Sequence, residues 1–171
     1  GTNAIASGNH STSMGYITTA SGDYSTAMGY ITTASGNGST AMGANNYASG
    51  NSSTAMGAGS IASGDVSIAI GLETTAKANG SLSAGRYNDN SDNPDPNSSF
   101  HNDRIFQIGN GFNFSSRSNA LTILRNGNTG IGTVNPGTRL HIVQGPSGYT
   151  GGNFPGMVLE GNSNLYFNLL S

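Results

Sequence analysis

The sequence predicts an all-β fold, a parallel β-solenoid with coils of fourteen residues, followed by a small β-rich module. Three sets of residues recur at intervals of fourteen without an insertion. The first set is Gly15, Gly29, Gly43, Gly57, Gly71 and Gly85. The second is Gly8, Gly22, Gly36, Gly50 and Gly64, and the third is Ala6, Ala20, Ala34, Ala48, Ala62 and Ala76. Such strict spacing indicates stacked structural repeats.

Each repeat contains two segments of about five residues, which is the length of a strand rather than of a helix. Thr, Ile, Tyr and Ser favour extended chain, and a closing glycine permits the positive φ of a tight turn. The six glycines of the first set are therefore predicted to be structural turn glycines. Because alternate residues of a strand point to opposite sides, Thr26 and Met28 share one side, and Ser25 and Ala27 share the other. Six coils spaced about 4.8 Å apart would form a roll about 30 Å long.

The apolar content of this roll is low. Ile, Leu, Val and Phe account for 30 of the 171 residues, and residues 1–87 contain nine Ile, Leu and Val with four Met. One copy would hardly offset an ordering cost of about 1.5 kcal/mol per residue. We expect the small-residue face of Ser, Ala and Gly to be buried against two symmetry mates, in a closed homotrimer. A flexible Gly/Ser linker is the alternative, which the strict register of Met, Ile and Ala disfavours.

The repeat follows the pattern S-x-A-[MI]-G and then x-x-[TNS]-x-A-x-G, as in STAMG at residues 39–43 and SIAIG at residues 67–71. Over residues 1–87 the pattern resembles the head repeat of YadA-type trimeric autotransporter adhesins. The resemblance implies a left-handed parallel β-roll that associates as a trimer, lies outside the cell and binds matrix or cell surfaces. Thr stands where the family usually has an aliphatic residue, and Met where it has Ile, in four coils. We expect the core to be wetter or looser at these positions, namely Thr12, Thr26, Thr40 and Thr54 with Met14, Met28, Met42 and Met56.

The composition changes abruptly at residues 88–99, NDNSDNPDPNSS, which contain two Pro, three Asp, four Asn and no aliphatic residue. This composition predicts a poorly packed linker at which strand pairing ends, because each Pro lacks a backbone donor. The alternative is a Ca²⁺ site, since carboxylate and amide oxygens are calcium ligands. The spacing lacks the Gly and the terminal Glu of known calcium loops, so we favour a solvated loop without metal. The carboxylates concerned are Asp89, Asp92 and Asp95.

Short apolar runs return in residues 100–171, where RIFQIG, ALTILRNG, GIGT, RLHIV and MVLEG predict further strands. Residues 105–171, and GNTGIGTVNP followed by LHI above all, resemble a stalk module of phage tail fibres and surface proteins. In those proteins the module often precedes a self-cleaving intramolecular chaperone. The sequence therefore divides into a head of residues 1–87, a linker of residues 88–99 and a β-rich stalk or connector module of residues 100–171.

The chain offers little material for catalysis, and we expect no enzyme, no cofactor and no metal site. Its three histidines do not form a spaced ligand pair, and no G-x-S-x-G nucleophile motif occurs. GNTGIG at residues 127–132 lacks the following helix that a phosphate-binding loop needs. Six scattered Lys and Arg argue against a nucleic-acid partner, and no apolar stretch is long enough for a membrane span. The histidines are His10, His101 and His141.

Two functions remain. The first is an extracellular adhesive or receptor-binding head whose partner is a glycan or matrix protein, with Tyr16, Tyr30 and Tyr47 as candidate surface-binding residues. An aromatic ring near a corner of the roll would stack on a sugar or a partner chain, although these rings would equally suit the trimer seam. The second is a structural shaft, spacer or filament subunit, as in a phage tail fibre or a polymerised surface appendage, with binding carried elsewhere.

Overall fold

The computed structural model describes residues 1–143, and all regular secondary structure in that range is β-strand. The predicted all-β class is therefore confirmed. The strands are β1 (Ile5–Ala6), β2 (Thr12–Tyr16), β3 (Thr19–Ala20), β4 (Thr26–Tyr30), β5 (Thr33–Ala34), β6 (Thr40–Ala44), β7 (Tyr47–Ala48), β8 (Thr54–Ala58), β9 (Ile61–Ala62), β10 (Ile68–Leu72), β11 (Thr75–Ala76), β12 (Leu82–Arg86), β13 (Arg104–Asn110), β14 (Asn119–Leu124), β15 (Thr129–Ile131) and β16 (Leu140–Ile142).

The coils stack into two parallel sheets in register, as the period of fourteen predicts. Sheet 1 contains the two-residue strands in the order β1-β3-β5-β7-β9-β11. Sheet 2 contains the five-residue strands of the roll and then the module, in the order β2-β4-β6-β8-β10-β12-β13-β14-β15-β16. Each residue of strands β1 to β10 pairs with the residue fourteen positions later, as Thr26 does with Thr40 and Met28 with Met42.

The interior of the roll consists of small side chains. Nine alanines from the two sheets form one core cluster with no exposed surface. Ser25 and Thr32 of the same coils are buried beside them. The expectation that the small-residue face is buried against symmetry mates is therefore wrong, because this face is the inside of each chain's own roll. The nine alanines are Ala20, Ala27, Ala34, Ala41, Ala48, Ala55, Ala62, Ala69 and Ala76.

The larger side chains of sheet 2 lie on the outside. Thr26 and Met28 flank the buried Ala27 and are only half-buried, and Met14 in the preceding coil is exposed. A coil of two short strands and tight turns is too narrow to enclose Met or Ile, so size decides which side faces inward. The predicted wetter or looser core at the Thr and Met positions is consequently wrong, since these side chains do not enter the core.

The ladder of sheet 2 continues beyond the repeats. β13 pairs in parallel with β12, with Leu82 opposite Phe106 and Gly85 opposite Gly109. β14 and β15 then add antiparallel strands, and β16 pairs in parallel with β15. The expectation that strand pairing ends with the repeat is wrong, whereas the strands predicted in RIFQIG, ALTIL, GIGT and RLHIV are confirmed. The strand predicted in MVLEG lies outside the described residues.

Residues 88–99 contain no strand, yet their first residue is fully buried. The side-chain amide of Asn88 accepts a hydrogen bond from the Thr75 N–H at 2.7 Å and donates one to the Thr75 carbonyl at 3.0 Å. Thr75 belongs to β11, the last strand of sheet 1, so the amide replaces the peptide group that a further coil would offer. The predicted poor packing of this segment is wrong at Asn88. The separate folding of residues 1–87 and 100–171 stays a prediction.

The six glycines of the first set lie inside the strands of sheet 2 rather than at corners, each with φ between 100° and 135°. At Gly43 a Cβ atom would overlap the carbonyl oxygen of Gly57 in the next coil. The corners instead contain residues in the left-handed region, including Ile17 and Tyr24 with φ of 52° and 58°. Glycine at these strand positions therefore permits both the backbone conformation and the close stacking of coils.

We predict that Gly43→Ala lowers the free energy of unfolding by about 2 kcal/mol or more, because the new methyl group meets both a positive φ and a backbone oxygen. Gly38→Asn is the matched control. Gly38 has a φ of 64°, which Asn tolerates, and its nearest contact for a Cβ atom is the Ser52 Oγ at 3.6 Å. Urea denaturation followed by circular dichroism should show a loss within about 0.5 kcal/mol for the control. Equal losses in both variants would contradict the close stacking.

Candidate functional site

The outward side of sheet 2 is an apolar face. Because the alanines between them point inward, every second residue of the five-residue strands faces outward in three columns. Ile70, in the middle column of the face, is 42% exposed, although aliphatic side chains of this size are usually buried. The apolar face of sheet 2 is formed by Thr12, Met14, Tyr16, Thr26, Met28, Tyr30, Thr40, Met42, Ala44, Thr54, Met56, Ala58, Ile68, Ile70 and Leu72.

The three tyrosines predicted as surface-binding residues do not form one site. Tyr16 and Tyr30 pair across β2 and β4 on the apolar face of sheet 2, with ring centroids 5.5 Å apart and planes 7° apart. Tyr47 lies on sheet 1, and its hydroxyl oxygen accepts a hydrogen bond from the Ser35 Oγ at 3.3 Å. The two sheets face each other across the alanine core, so Tyr47 lies on the opposite side of the roll from the stacked pair.

A second aromatic stack lies at a corner of the roll and was missed by the sequence analysis. The rings of His10 and Tyr24 are 5.3 Å apart and nearly parallel, and Tyr24 is 68% exposed. Both residues adopt a positive φ, which directs their side chains away from the strands. Their separation of fourteen residues could have predicted the stack, because residues fourteen apart occupy equivalent positions in adjacent coils.

A cluster of aromatic rings and guanidinium groups lies where the roll meets the module. Phe112 and Phe114, in the connection between β13 and β14, are 76% and 64% exposed. The guanidinium of Arg117 lies 5.7 Å from the ring centroid of Tyr87 and 5.6 Å from that of Phe114. Arg86 makes similar contacts with Tyr87 and Phe112. The sequence does not reveal this cluster, because its members come from both sides of residues 88–99.

Residues 88–99 are attached to the roll and the module by ion pairs. Arg104 of β13 is almost fully buried, and its Nη1 lies 2.5 Å from Asp89 Oδ1 and 3.7 Å from Asp92 Oδ1. Lys77 follows β11, and its Nζ lies 3.9 Å from the same Asp92 oxygen. Asp92 thus bridges Lys77, directly after sheet 1, and Arg104 of sheet 2, while Asp89 pairs with Arg104 alone. These contacts fix the course of the segment.

The two carboxylates beside Arg104 have pKa values shifted in opposite directions. Burial raises the pKa of Asp89, but hydrogen bonds from the Ser91 hydroxyl and N–H and from Arg104 outweigh it, so the pKa lies below the ordinary 3.8. Burial raises the pKa of Asp92 above 3.8, and the attraction of Arg104 and Lys77 offsets only part of that effect. The ionised form is therefore favoured at Asp89 and disfavoured at Asp92.

The three carboxylates of this segment are occupied by contacts within the protein. Asp95 accepts a hydrogen bond from the Asn97 N–H, while Asp89 and Asp92 face Arg104. Among residues 1–143, no group of three or more His, Cys, Asp and Glu is arranged to hold a metal ion. The same residues include no helix of the length and hydropathy needed to cross a bilayer.

Residues 1–87 are YadA head repeats. The family model of the YadA head domain repeat (2 copies) matches residues 1–16, 20–46, 48–74 and 62–87. This part of the chain therefore belongs to the YadA head family, in agreement with the S-x-A-[MI]-G pattern. No curated protein and no solved structure matches the chain. The family match ends at residue 87, and the resemblance of residues 105–171 to a stalk module stays a prediction.

We predict that Asp89→Asn and Asp92→Asn respond differently to pH. The lowered pKa of Asp89 provides stability that is complete above pH 3.8 and is lost as the pH falls through the folded-state value. The raised pKa of Asp92 provides stability that is complete below pH 3.8 and is lost as the pH rises through its folded-state value. At pH 7, Asp89→Asn should lower the free energy of unfolding by about 1–3 kcal/mol, because Arg104 is buried.

At the same pH, Asp92→Asn should leave the stability unchanged or increase it, and it serves as the isosteric control. The measurement is Tm between about pH 2 and pH 8 at constant ionic strength. The difference between the wild type and Asp89→Asn should become smaller below about pH 4, as Asp89 becomes protonated. Equal losses for both variants at pH 7 would show that the two carboxyls do not differ as described.

Proposed function

We propose that this chain contains the head of an extracellular, homotrimeric fibre on a cell surface or virion that mediates adhesion or receptor binding and performs no catalysis. The observation that carries the proposal is the apolar face of sheet 2, where Met, Ile, Leu and Tyr lie with Thr and Ala on a roll that belongs to the YadA head family. Monomeric proteins rarely leave so extended an apolar face in water, and such faces mark association surfaces.

The energetics of the roll support association of three chains. A buried methyl group contributes roughly 0.8 kcal/mol. Fixing the backbone of one residue costs roughly 1–2 kcal/mol. An interior of alanine and serine therefore supplies little of the required stability, whereas burial of Ile68, Ile70 and Leu72 between chains would supply more. A threefold arrangement closes such contacts without leaving an open edge, and trimers agree with the resemblance to YadA heads.

The adhesive role is supported by the contrast between the two sheets. If sheet 2 faces the threefold axis, the outward side of sheet 1 remains in contact with water except near β11, where residues 88–99 cover it and Thr75 is buried. This side presents Tyr47 and Ile61, both exposed, among Ser and Thr. A polar surface with isolated aromatic and aliphatic groups suits a glycan or matrix-protein partner.

The proposed absence of catalysis is supported by where the histidines lie. His10 is stacked on Tyr24, and the His141 Nδ1 accepts a hydrogen bond from the Gly137 N–H. Neither contact pairs an imidazole with a nucleophile or a carboxylate, which general-base catalysis would require. GNTGIG consists of β15 with two residues before it and one after it, rather than a loop before a helix.

A structural shaft or spacer is the second candidate, and the continuous ladder from β12 into β13 favours it. A shaft transmits load through an unbroken hydrogen-bonded sheet, and sheet 2 extends from β2 to β16 within residues 1–143. In this case residues 1–87, 88–99 and 100–171 are successive segments of one fibre, either a phage tail fibre or a surface appendage. Binding is then located elsewhere.

We predict that Ile70→Asp abolishes the trimer, whereas Ile61→Asp retains it. The two side chains are matched in type and are 42% and 39% exposed, but Ile70 lies on sheet 2 and Ile61 on sheet 1. Three aspartates brought together near a threefold axis would repel one another and lose apolar contact. Sedimentation equilibrium should give the mass of three chains for the wild type and Ile61→Asp, and a smaller mass for Ile70→Asp. A folded wild-type monomer at micromolar concentration would contradict the proposal.

The adhesive function predicts saturable binding of the isolated trimer to immobilised glycans or matrix proteins. A glycan array and surface plasmon resonance against a panel of matrix proteins would measure it, with Ile70→Asp as the control for multivalent binding. The variant should bind more weakly than the trimer, because a trimer engages several ligands at once. A well-folded trimer that binds neither panel would favour the structural shaft.

A further inference from the structure

A groove lies between residues 88–99 and the outward side of sheet 1. It has a volume of about 390 Å³, within the range of small-molecule sites. The floor of the groove is the outward side of sheet 1, at Ile61 and Ser63. Its wall is formed by residues 88–99. The wall residues are Asn90, Asn93, Pro94 and Pro96. Because the groove lies on sheet 1, the association through sheet 2 proposed above leaves it open to solvent.

The wall of the groove is held in place by contacts at both ends. Lys77 Nζ donates hydrogen bonds to the carbonyl oxygens of Asn90 and Asp92, the second at 2.6 Å. The Asp65 N–H donates to the Pro96 carbonyl oxygen at 2.9 Å. The two prolines add fixed φ angles. A site whose wall is already ordered loses little conformational entropy when a ligand binds.

The groove has no uncompensated charge. Lys77 is the cation at its edge, and it is occupied by two backbone carbonyls and by the carboxylate of Asp92. Neither an anionic nor a cationic ligand would find an unpaired counter-charge there. Electrostatics therefore favours a neutral ligand.

The other residues of the groove combine apolar surfaces with polar side chains that have no hydrogen-bond partner among residues 1–143. Ile61, Pro94 and Pro96 present hydrocarbon. The side chains of Asn90, Asn93 and Ser63 make no hydrogen bond to another residue within residues 1–143. A carboxamide offers a donor and an acceptor side by side, which match two neighbouring hydroxyl groups. The C–H face of a sugar ring, in turn, packs on hydrocarbon.

We propose that this groove is a binding subsite for a neutral saccharide of one or two sugar units. Asn90 and Asn93 bind its hydroxyl groups, and Ile61 with the two prolines packs against its apolar face. The proposal rests on the adhesive function proposed above and specifies its ligand class and location. It also gives residues 88–99 a role in ligand binding, in addition to covering the last strand of sheet 1.

The test compares the wild-type trimer with Asn90→Ala/Asn93→Ala. These substitutions remove both carboxamides and keep the backbone carbonyl that Lys77 binds. Asn97→Ala is the control, because Asn97 belongs to the same segment but does not line the groove. Binding is measured on an array of neutral and sialylated mono- and disaccharides, and then by titration calorimetry with the free sugars that bind. Thermal midpoints of all variants should agree within about 2 °C, since no internal side-chain hydrogen bond is removed.

We expect the wild type and Asn97→Ala to bind neutral saccharides and the double variant to bind at least about tenfold more weakly, the effect of roughly two lost hydrogen bonds. Unchanged binding in the double variant would overturn the groove as the subsite and leave the adhesive function standing. Preference for sialylated sugars, or equal binding to a matrix protein before and after deglycosylation, would overturn the neutral-saccharide class. A trimer that binds neither saccharides nor matrix proteins would overturn both proposals.

Discussion

The narrow interior of the roll is the constraint on which the other features depend. Two sheets with strands of two and five residues approach so closely that alanine, serine and threonine side chains fill most of the space between them, with Asn46 as the larger exception. The coils also stack so closely that a Cβ atom at Gly43 has no space beside Gly57. Because no large side chain enters the interior, every large apolar side chain of the repeat lies outside. The surface of one chain thus carries the groups that a globular protein buries.

The sequence determines the period, the strand lengths and the identity of the two strand sides, because each follows from residue spacing alone. It does not determine which side faces inward. Ordinary hydrophobic reasoning assigns Met28 and Ile70 to the inside, and that assignment is wrong because the width of the coil excludes them. Size, rather than hydrophobicity, orients the strands of this roll. Two strands and their turns within fourteen residues imply a narrow coil, although the composition gives no measure of its width.

Residues 88–99 show a different limit of sequence reasoning. Their composition is that of a solvated linker, yet the Asn88 amide reproduces a peptide group at the end of sheet 1. The charges of Asp89 and Asp92 are likewise met by Lys77 and Arg104, which the fold brings together from opposite sides of the segment. Asparagine and aspartate are common both in solvated loops and in segments that cap a sheet. Only the position of their hydrogen-bond and ion-pair partners distinguishes a loop from a cap. That position depends on the continuation of sheet 2 into β13, which the repeat pattern does not contain.

Departures from the repeat indicate where the two outward faces differ in role. On sheet 2 the first two outward columns stay alike from coil to coil, and their Thr and Met residues give way together to Ile68 and Ile70. Only the third column changes, from Tyr through Ala to Leu72. A face that meets copies of itself benefits from such uniformity, because every coil then makes an equivalent contact. On sheet 1 the corresponding column changes from Thr33 to Tyr47 to Ile61 within three coils. The stacking of the backbone does not require this variation, and such variation is expected on a surface that contacts a foreign molecule. We therefore propose that the partner binds to sheet 1, which forms the floor of the groove.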